Sequence, residues 1–339
     1  MARIPHTELP DCYKGFRKSL LYSESISDTI EADVQMKRGH LIKCCGARVR
    51  ILGETVEVLT EPRIHNCPLH ESLYGFKVMN KEAVRETVEI KMQNFGFCCH
   101  HRVFDDAIVV SYGASEIIKT CMEAKLLDCA VIVCEGAGTV TTSNPSLVQG
   151  VGAHLTGIIR TSPVEQIIRH IQAQGGSVLD SRTAKIDQAI GFQKAVKMGF
   201  KKIAVTVAGF QAKQITKIRS LEKKPNVRAA VFSICNTCTA EKDLKHVTNA
   251  DIVTASASRA IREQLGPKAL MQLGVTIPVF ALTERGKEIM LAYLSEFDRK
   301  IVVFRARLPY LVEKKGPTLK PKLERKTKTI RTRQNSSSA

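Results

Sequence analysis

The chain contains no tryptophan, and aromatic residues make up only 5% of its 339 residues. It also lacks aromatic stacking motifs, so sequence-specific reading of nucleic acid has little support. No run of eighteen or more apolar residues occurs, which speaks against a membrane-spanning helix. The opening residues, MARIPHTELPDCYKG, hold no apolar core of the kind a secretory leader needs. A cytoplasmic location is therefore expected. The eleven cysteines should then be thiols, metal ligands or redox groups rather than a disulfide framework. Acidic residues are few, 33 against 51 Lys and Arg, for a formal charge of +18.

Part of that charge is local. Residues 313–339 carry nine Lys or Arg against Glu313 and Glu324, a net +7; +18 less +7 leaves +11 for the rest, with no basic stripe. This tail is poor in apolar residues and rich in Pro, Thr and Ser, so it reads as a solvated, disordered extension. It can serve solubility alone. Loose attraction to nucleic acid or to an acidic partner needs only charge, so non-specific nucleic-acid contact stays open without being favoured.

The body of the chain divides by pattern. Residues 1–43 show little periodicity and read as a loosely held arm. In ARVRILGETVEVLTEP, alternating Val49, Ile51, Val56 and Val58 flank Gly53-Glu54, which suits a type II′ hairpin over residues 47–60. Asn80 is placed to cap a helix over 80–93, with Val84, Val88 and Met92 on one face. Residues 44–104 are thus expected to form a small cysteine-containing hairpin and helix subdomain. From 105 to 312, short β-branched runs alternate with helical stretches: IVVSYG, AVIVC, KIAVTVAG, AAVFSIC, DIVTAS and PVFALT. Ser162, Pro163 and Glu165 compose an S-x-x-E capping box for one of the helices. The pattern predicts an α/β fold, a mostly parallel, doubly wound, Rossmann-like sheet with the small N-terminal subdomain attached.

Two groups of residues point to chemistry. In CEGAGTVTTSNPSLVQGVGAHLTG, which follows a strand, Gly136, Gly138, Gly150 and Gly152 could bring backbone amides close to a ligand, and Thr139, Thr141, Thr142 and Ser143 add hydroxyls. Ligands of open α/β sheets bind beyond strand carboxyl ends, so a small phosphate- or carboxylate-bearing ligand is one reading and a glycine loop serving only tight turns is the other. The spacing matches neither a dinucleotide fingerprint nor a P-loop. Lys185 and Asp187 are candidate catalytic groups nearby, as charge and base, or simply a solvated helix start. The second group is the cysteines. Cys121 and Cys129 read as core. Cys134 ends a strand beside the Gly-rich stretch, and Cys235-Asn-Thr-Cys238 could be a metal clip, a dithiol pair or a coincidence. Cys67-Pro68-Leu69-His70 and Cys98-Cys99-His100-His101 fall on loops bracketing the 80–93 helix. Successive side chains point different ways, so at most two of residues 98 to 101 should serve one metal centre.

Several segments together resemble the methanogenesis marker protein 8 family of methanogenic archaea. They are NCPL (66–69), NFGFC (94–98), AVIVCEGAGTV (130–140), LVQGVGAHLTGIIRTSP (147–163), AKIDQAIG (184–191), ASRAIRE (257–263) and IPVFALTERGKE (277–288). The resemblance spans roughly residues 44 to 312. It implies an anaerobic cytoplasm and a part in assembling a methanogenic enzyme complex or cofactor. The family pattern singles out Cys67, Cys98 and Cys134, which suggests an iron–sulfur cluster held by three thiolates, with Cys99, His100 and His101 as bystanders. It has a His-Thr-Thr-Gly-like loop where Cys235 and Cys238 stand here, which favours a loop over a metal clip at that place.

Overall fold

A computed structural model describes residues 39–107, 110–153, 157–222, 227–312 and 315–320. The expected arm therefore lies outside the described residues up to Arg38, and most of the basic tail, from residue 321, does too.

The described chain opens with β1 (His40–Cys44), β2 (Ala47–Leu52) and β3 (Thr55–Val58). Buried and exposed residues alternate along them, so His40, Ile42, Cys44, Ala47, Val49 and Ile51 share one dry face. The expected hairpin is present, with Leu52 opposite Thr55 and Gly53 at φ +57°. A second two-residue hairpin, not foreseen, joins β1 to β2. Cys44 pairs with Ala47, and Cys45 and Gly46 between them have φ of 49° and 82°. This is a type I′ turn, in which glycine fits the second place freely. A cysteine at the first place holds a left-handed backbone that costs about 1–3 kcal/mol.

The fourth strand of this sheet comes from far along the chain. β7 (Gly157–Arg160) runs antiparallel to β1, giving the order β3-β2-β1-β7. Ser162 extends the pairing: Gly39 N–H donates to its Oγ at 2.8 Å, and its own N–H donates to Gly39 O at 3.0 Å. That corrects its reading as a helix cap. The next helix, α5 (Glu165–Ala173), starts after Val164 with no side-chain cap.

The larger sheet has eight strands. Its middle is parallel: β5 (Cys129–Cys134), β9 (Lys202–Ala208), β10 (Arg228–Ile234) and β11 (Ile252–Thr254). Both margins are antiparallel, β6 (Gly138–Thr142) with β8 (Ser177–Val178) beyond β5, and β13 (Val279–Ala281) with β12 (Met271–Leu273) beyond β11. The sheet is mixed, with the expected parallel core. The IVVSYG run is not a strand where it is described; residues 110–113 form a turn and α3 (Ala114–Glu123) follows. Alternation along β5 sends Ala130, Ile132 and Cys134 to one core and Cys129 and Val131 to the other. The first core is covered by α3, α4 (Pro145–Gly152), α5 and α9 (Glu284–Ser295). The second is covered by α6 (Gln188–Lys197), α7 (Lys213–Leu221) and α8 (Glu241–Val247).

A third core lies under the N-terminal sheet. α2 (Lys81–Phe95) is capped by Asn80, whose Oδ1 accepts from Ala83 N–H at 2.7 Å, and it buries Val84, Val88 and Met92 as its spacing predicts. Val133, Ile158 and Ala257 join this core, so it is continuous with the α/β part. The chain after α2 returns Arg102 to Glu135, at the end of β5. Both side chains are fully buried, and the guanidinium Nε donates to Glu135 Oε1 while Nη2 donates to Gly150 O at 3.1 Å. Near the C-terminus, β14 (Thr318–Leu319) pairs with β4 (Ile64–Asn66), so order extends a few residues into the basic segment.

Two predictions follow from these ties. Replacing Glu135 by Gln leaves the Arg102 charge buried without its anion, and should cost about 3–5 kcal/mol. Urea unfolding should show a lower midpoint at unchanged slope, whereas the double change Arg102→Met with Glu135→Leu should recover much of the loss; a Glu135→Gln midpoint equal to wild type would disprove the account. His40 is the pH-sensitive tie. Burial, against a weaker pull from the Cys98 carbonyl, lowers its pKa from 6.5 to about 4, and its Nδ1 stands 2.6 Å from Thr161 Oγ1. The unfolded chain binds the proton first, so stability is complete above about pH 6.5 and falls as pH drops towards 4. The full effect is about 3 kcal/mol, and His40→Gln should flatten that slope.

Candidate metal centre

Short elements bring the soft donors together. Cys44 ends β1 on its inner face, Cys45 occupies the hairpin turn, and α1 (Pro68–Tyr74) follows β4 with Cys67 at its N-cap and His70 in its first turn. The Sγ atoms of Cys44 and Cys45 and a ring nitrogen of His70 lie within 4.8 Å of one another. Cys45 Sγ is 3.2 Å from His70 Nε2. Donor atoms around a tetrahedral zinc ion stand roughly 3.6–3.8 Å apart, from metal–ligand bonds of about 2.0–2.3 Å. The Cys45 Sγ–His70 Nε2 distance is within about half an ångström of that spacing. Cys67, at the N-cap of the same helix, is near enough for it and His70 to shift each other's titration.

The electrostatics favour anionic sulfur here. A hydrogen bond from Cys45 holds Cys44 well below the ordinary thiol range, against burial and with help from His70 and Lys91. Its partner Cys45 is pushed up by that same bond and by burial. Burial raises Cys67, but the His70 hydrogen bond and charge and the backbone N–H groups of His70 and Leu69 bring it below its usual value. Burial works against a charged His70, yet Cys44 and Cys67 lift it to about 9. Lys91 is buried on α2, over the Phe97 ring at 5.9 Å, and among the described residues no carboxylate lies within ion-pair distance of it. Its charge is set against Cys44, Cys45 and Cys235.

Of the residues singled out in the sequence, His70 belongs to this group and Cys67 stands beside it. Cys98 and Cys134 both lie close to the buried Arg102–Glu135 pair. Burial first, then the Glu135 charge, pushes both thiols well up, so each is a protonated, buried thiol. Cys134 Sγ donates to the Glu135 carbonyl at 3.2 Å. Cys67 and Cys98 share the core under the N-terminal sheet, while Cys134 belongs to the core on one face of the larger sheet. Cys99 is half-buried with Sγ 3.4 Å from Phe97 O, and the exposed rings of His100 and His101 meet only edge to face, at 5.0 Å. Cys121 and Cys129 are core, as read.

The Gly-rich stretch is a tight hairpin instead of an open loop. Gly138 starts β6 at φ +73°, and a Cβ there would lie 2.2 Å from Ala184 O. Thr139 N–H donates to Lys185 O at 3.0 Å, and Asp187 N–H donates to Thr139 Oγ1 at 2.8 Å. Gly136 packs on Val164 and Ile167, Gly150 on Phe104, and Gly152 on Ser115. Thr141 and Thr142 are buried in β6. Asp187 caps α6, accepting from Ile190 N–H at 3.1 Å. The glycines are thus packed against the protein's own atoms, while the Lys185 side chain is exposed.

Cys235 and Cys238 follow β10 at φ 50° and 57°, close to Lys43, whose Nζ donates to Thr237 O at 2.9 Å. Cys235 lines a cavity of about 20 Å³ at the carboxyl ends of β5, β9 and β10, together with Gly157 of β7. The N-terminal sheet therefore closes over the end of the parallel core, where an α/β sheet commonly receives a ligand. Cys44 and Cys45 were missed in the sequence although a local signal existed: Cys45-Gly46 is an x-Gly pair between two alternating runs.

No helix among the described residues is long and apolar enough to cross a membrane. A protein of Methanocaldococcus jannaschii, itself uncharacterised, is 39% identical over 276 residues, which cover 80% of this chain and 96% of that one. Residues 40–295 match the model of a family described as uncharacterised proteins conserved in archaea, DUF2099. The chain belongs to that archaeal family.

Proposed function

We propose that the protein is a metal-binding accessory protein in which Cys44, Cys45 and His70, completed by Cys67, hold one soft ion of the zinc type. The observation that carries this is the convergence of two thiols and an imidazole within 4.8 Å. The buried, carboxylate-free Lys91 beside them supports it, because an ammonium there needs an anion and thiolates supply one. Thiolate and imidazole together select zinc or iron over harder cations. A three-cysteine cluster at Cys67, Cys98 and Cys134 finds less support, since the Glu135 carboxylate opposes thiolates at two of the three. Metal analysis of full-length protein purified without air should give about one zinc or iron per chain and no acid-labile sulfide. Cys45→Ser and His70→Ala should lose the metal while Cys98→Ser keeps it. Iron with matching sulfide that depends on Cys98 and Cys134 would instead establish the cluster.

The role proposed for this centre is assistance in assembling a methanogenic enzyme or cofactor, in the cytoplasm. The motif resemblance and the basic charge support it, the latter by favouring a dock on an acidic enzyme complex. Capture of such a complex by the full chain should weaken steeply between about 0.05 and 0.3 M salt, and a salt-independent capture would remove the charge argument.

A further inference from the structure

The outer face of the N-terminal sheet carries an open cleft of about 560 Å³ that none of the preceding roles uses. Strand alternation builds it. With Ile42 and Cys44 turned inward, Leu41 and Lys43 of β1 and Arg48 of β2 must face outward, and Arg63 closes over Gly46 at the hairpin turn. Among the described residues, no carboxylate lies within ion-pair distance of Lys43, Arg48 or Arg63. The cleft's one acid, Glu61, is already flanked by Lys81 Nζ at 3.8 Å and Lys320 Nζ at 3.7 Å. The cleft is thus cationic, and its wall is apolar, formed by Leu41 and the Phe210 ring, which Lys43 overlies at 5.7 Å.

We infer that this cleft binds a small molecule bearing two or more phosphate charges joined to an apolar or aromatic portion. Its volume falls in the range of small-ligand sites, about 300–1,000 Å³. Two arginines and a lysine lining one cleft, with no carboxylate in ion-pair distance of them among the described residues, suit a polyphosphate, since arginine forks pair with phosphate oxygens in a bidentate manner. The wall of Leu41 and Phe210 would receive the uncharged part. The inference does not depend on the metal centre, because its side chains lie on the opposite face of β1 from Cys44.

Calorimetric titration of the full chain at about 0.15 M salt, where loose attraction is screened, tests it. The probes are pyrophosphate, ADP and a short single-stranded oligonucleotide. Saturable binding of pyrophosphate and ADP is expected, weakened about tenfold or more in Lys43→Met and in Arg63→Ala. Lys201→Ala, exposed at the opposite end of β9, should bind as wild type. Arg63 is exposed, so its variant keeps the test sound even if Lys43→Met disturbs β1. Absence of saturable binding, or equal binding by wild type and both cleft variants, would overturn the inference. So would binding of the oligonucleotide alone through these residues, which would make the surface a nucleic-acid contact.

Discussion

The pairing of β1 with β7 is the constraint on which the rest of the molecule depends. It joins residues near the start of the described chain to a strand between α4 and α5, and Gly39–Ser162 and His40–Thr161 hydrogen bonds continue it past the strand ends. Because β7 belongs by sequence to the α/β part, the pairing sets the small sheet over the carboxyl ends of β5, β9 and β10. It also fixes which face of β1 is inside. A slip of one residue would turn Cys44 to solvent and Lys43 into the core. Both the thiol group and the cationic cleft therefore follow from one register.

Once β1 is placed, the hairpin turn explains how adjacent cysteines can serve one centre. In a continuing strand, Cys44 and Cys45 would point to opposite faces. The left-handed backbone at Cys45 breaks that alternation, and its Sγ arrives beside Cys44 and His70. A strained cysteine where Asn or Gly would be comfortable is more costly than the fold alone requires. Cys98, Cys235 and Cys238 share this backbone feature, so among the described residues four of the eight non-glycine positions with positive φ are cysteines. Strain of this kind persists where surrounding structure insists on a side chain's direction.

How much was legible in the sequence follows the same physics. The Gly53 hairpin and the Asn80-capped helix rest on contacts within a few residues, and both are present. The parallel core was readable because strands buried on both faces are continuous apolar runs, as in β9 and β10. The antiparallel margins were not. GTVTT reads as loop chemistry, and only the folding back of β5 at Gly136 and Gly138 makes it a strand. Ser162 carries a complete capping signal and is used instead for a bond to Gly39, a partner 123 positions away. For the site, Cys67 and His70 were visible as a pair, but Cys44 and Cys45 reach them only through the I′ turn. Cys98 and Cys134 both lie near an ion pair that no spacing rule announces.

That ion pair and the thiol group are two of the places where the described residues bury charge. Arg102 and Glu135 satisfy each other, and their surroundings keep Cys98 and Cys134 neutral. Lys91 has no such acid, and sulfur takes its place. A buried ammonium without an anion costs several kcal/mol, so the fold retains Lys91 at a position where an apolar residue would fit α2 at least as well. Its neighbours supply a reason under the proposed metal site: thiolates at Cys44, Cys45 and Cys67 would repel one another, and a bound metal with a nearby cation would relieve them. With a divalent ion held by three thiolates and one imidazole, the centre keeps one net negative charge, and Lys91 balances it. In that proposal the lysine is as much a part of the centre as the ligands are.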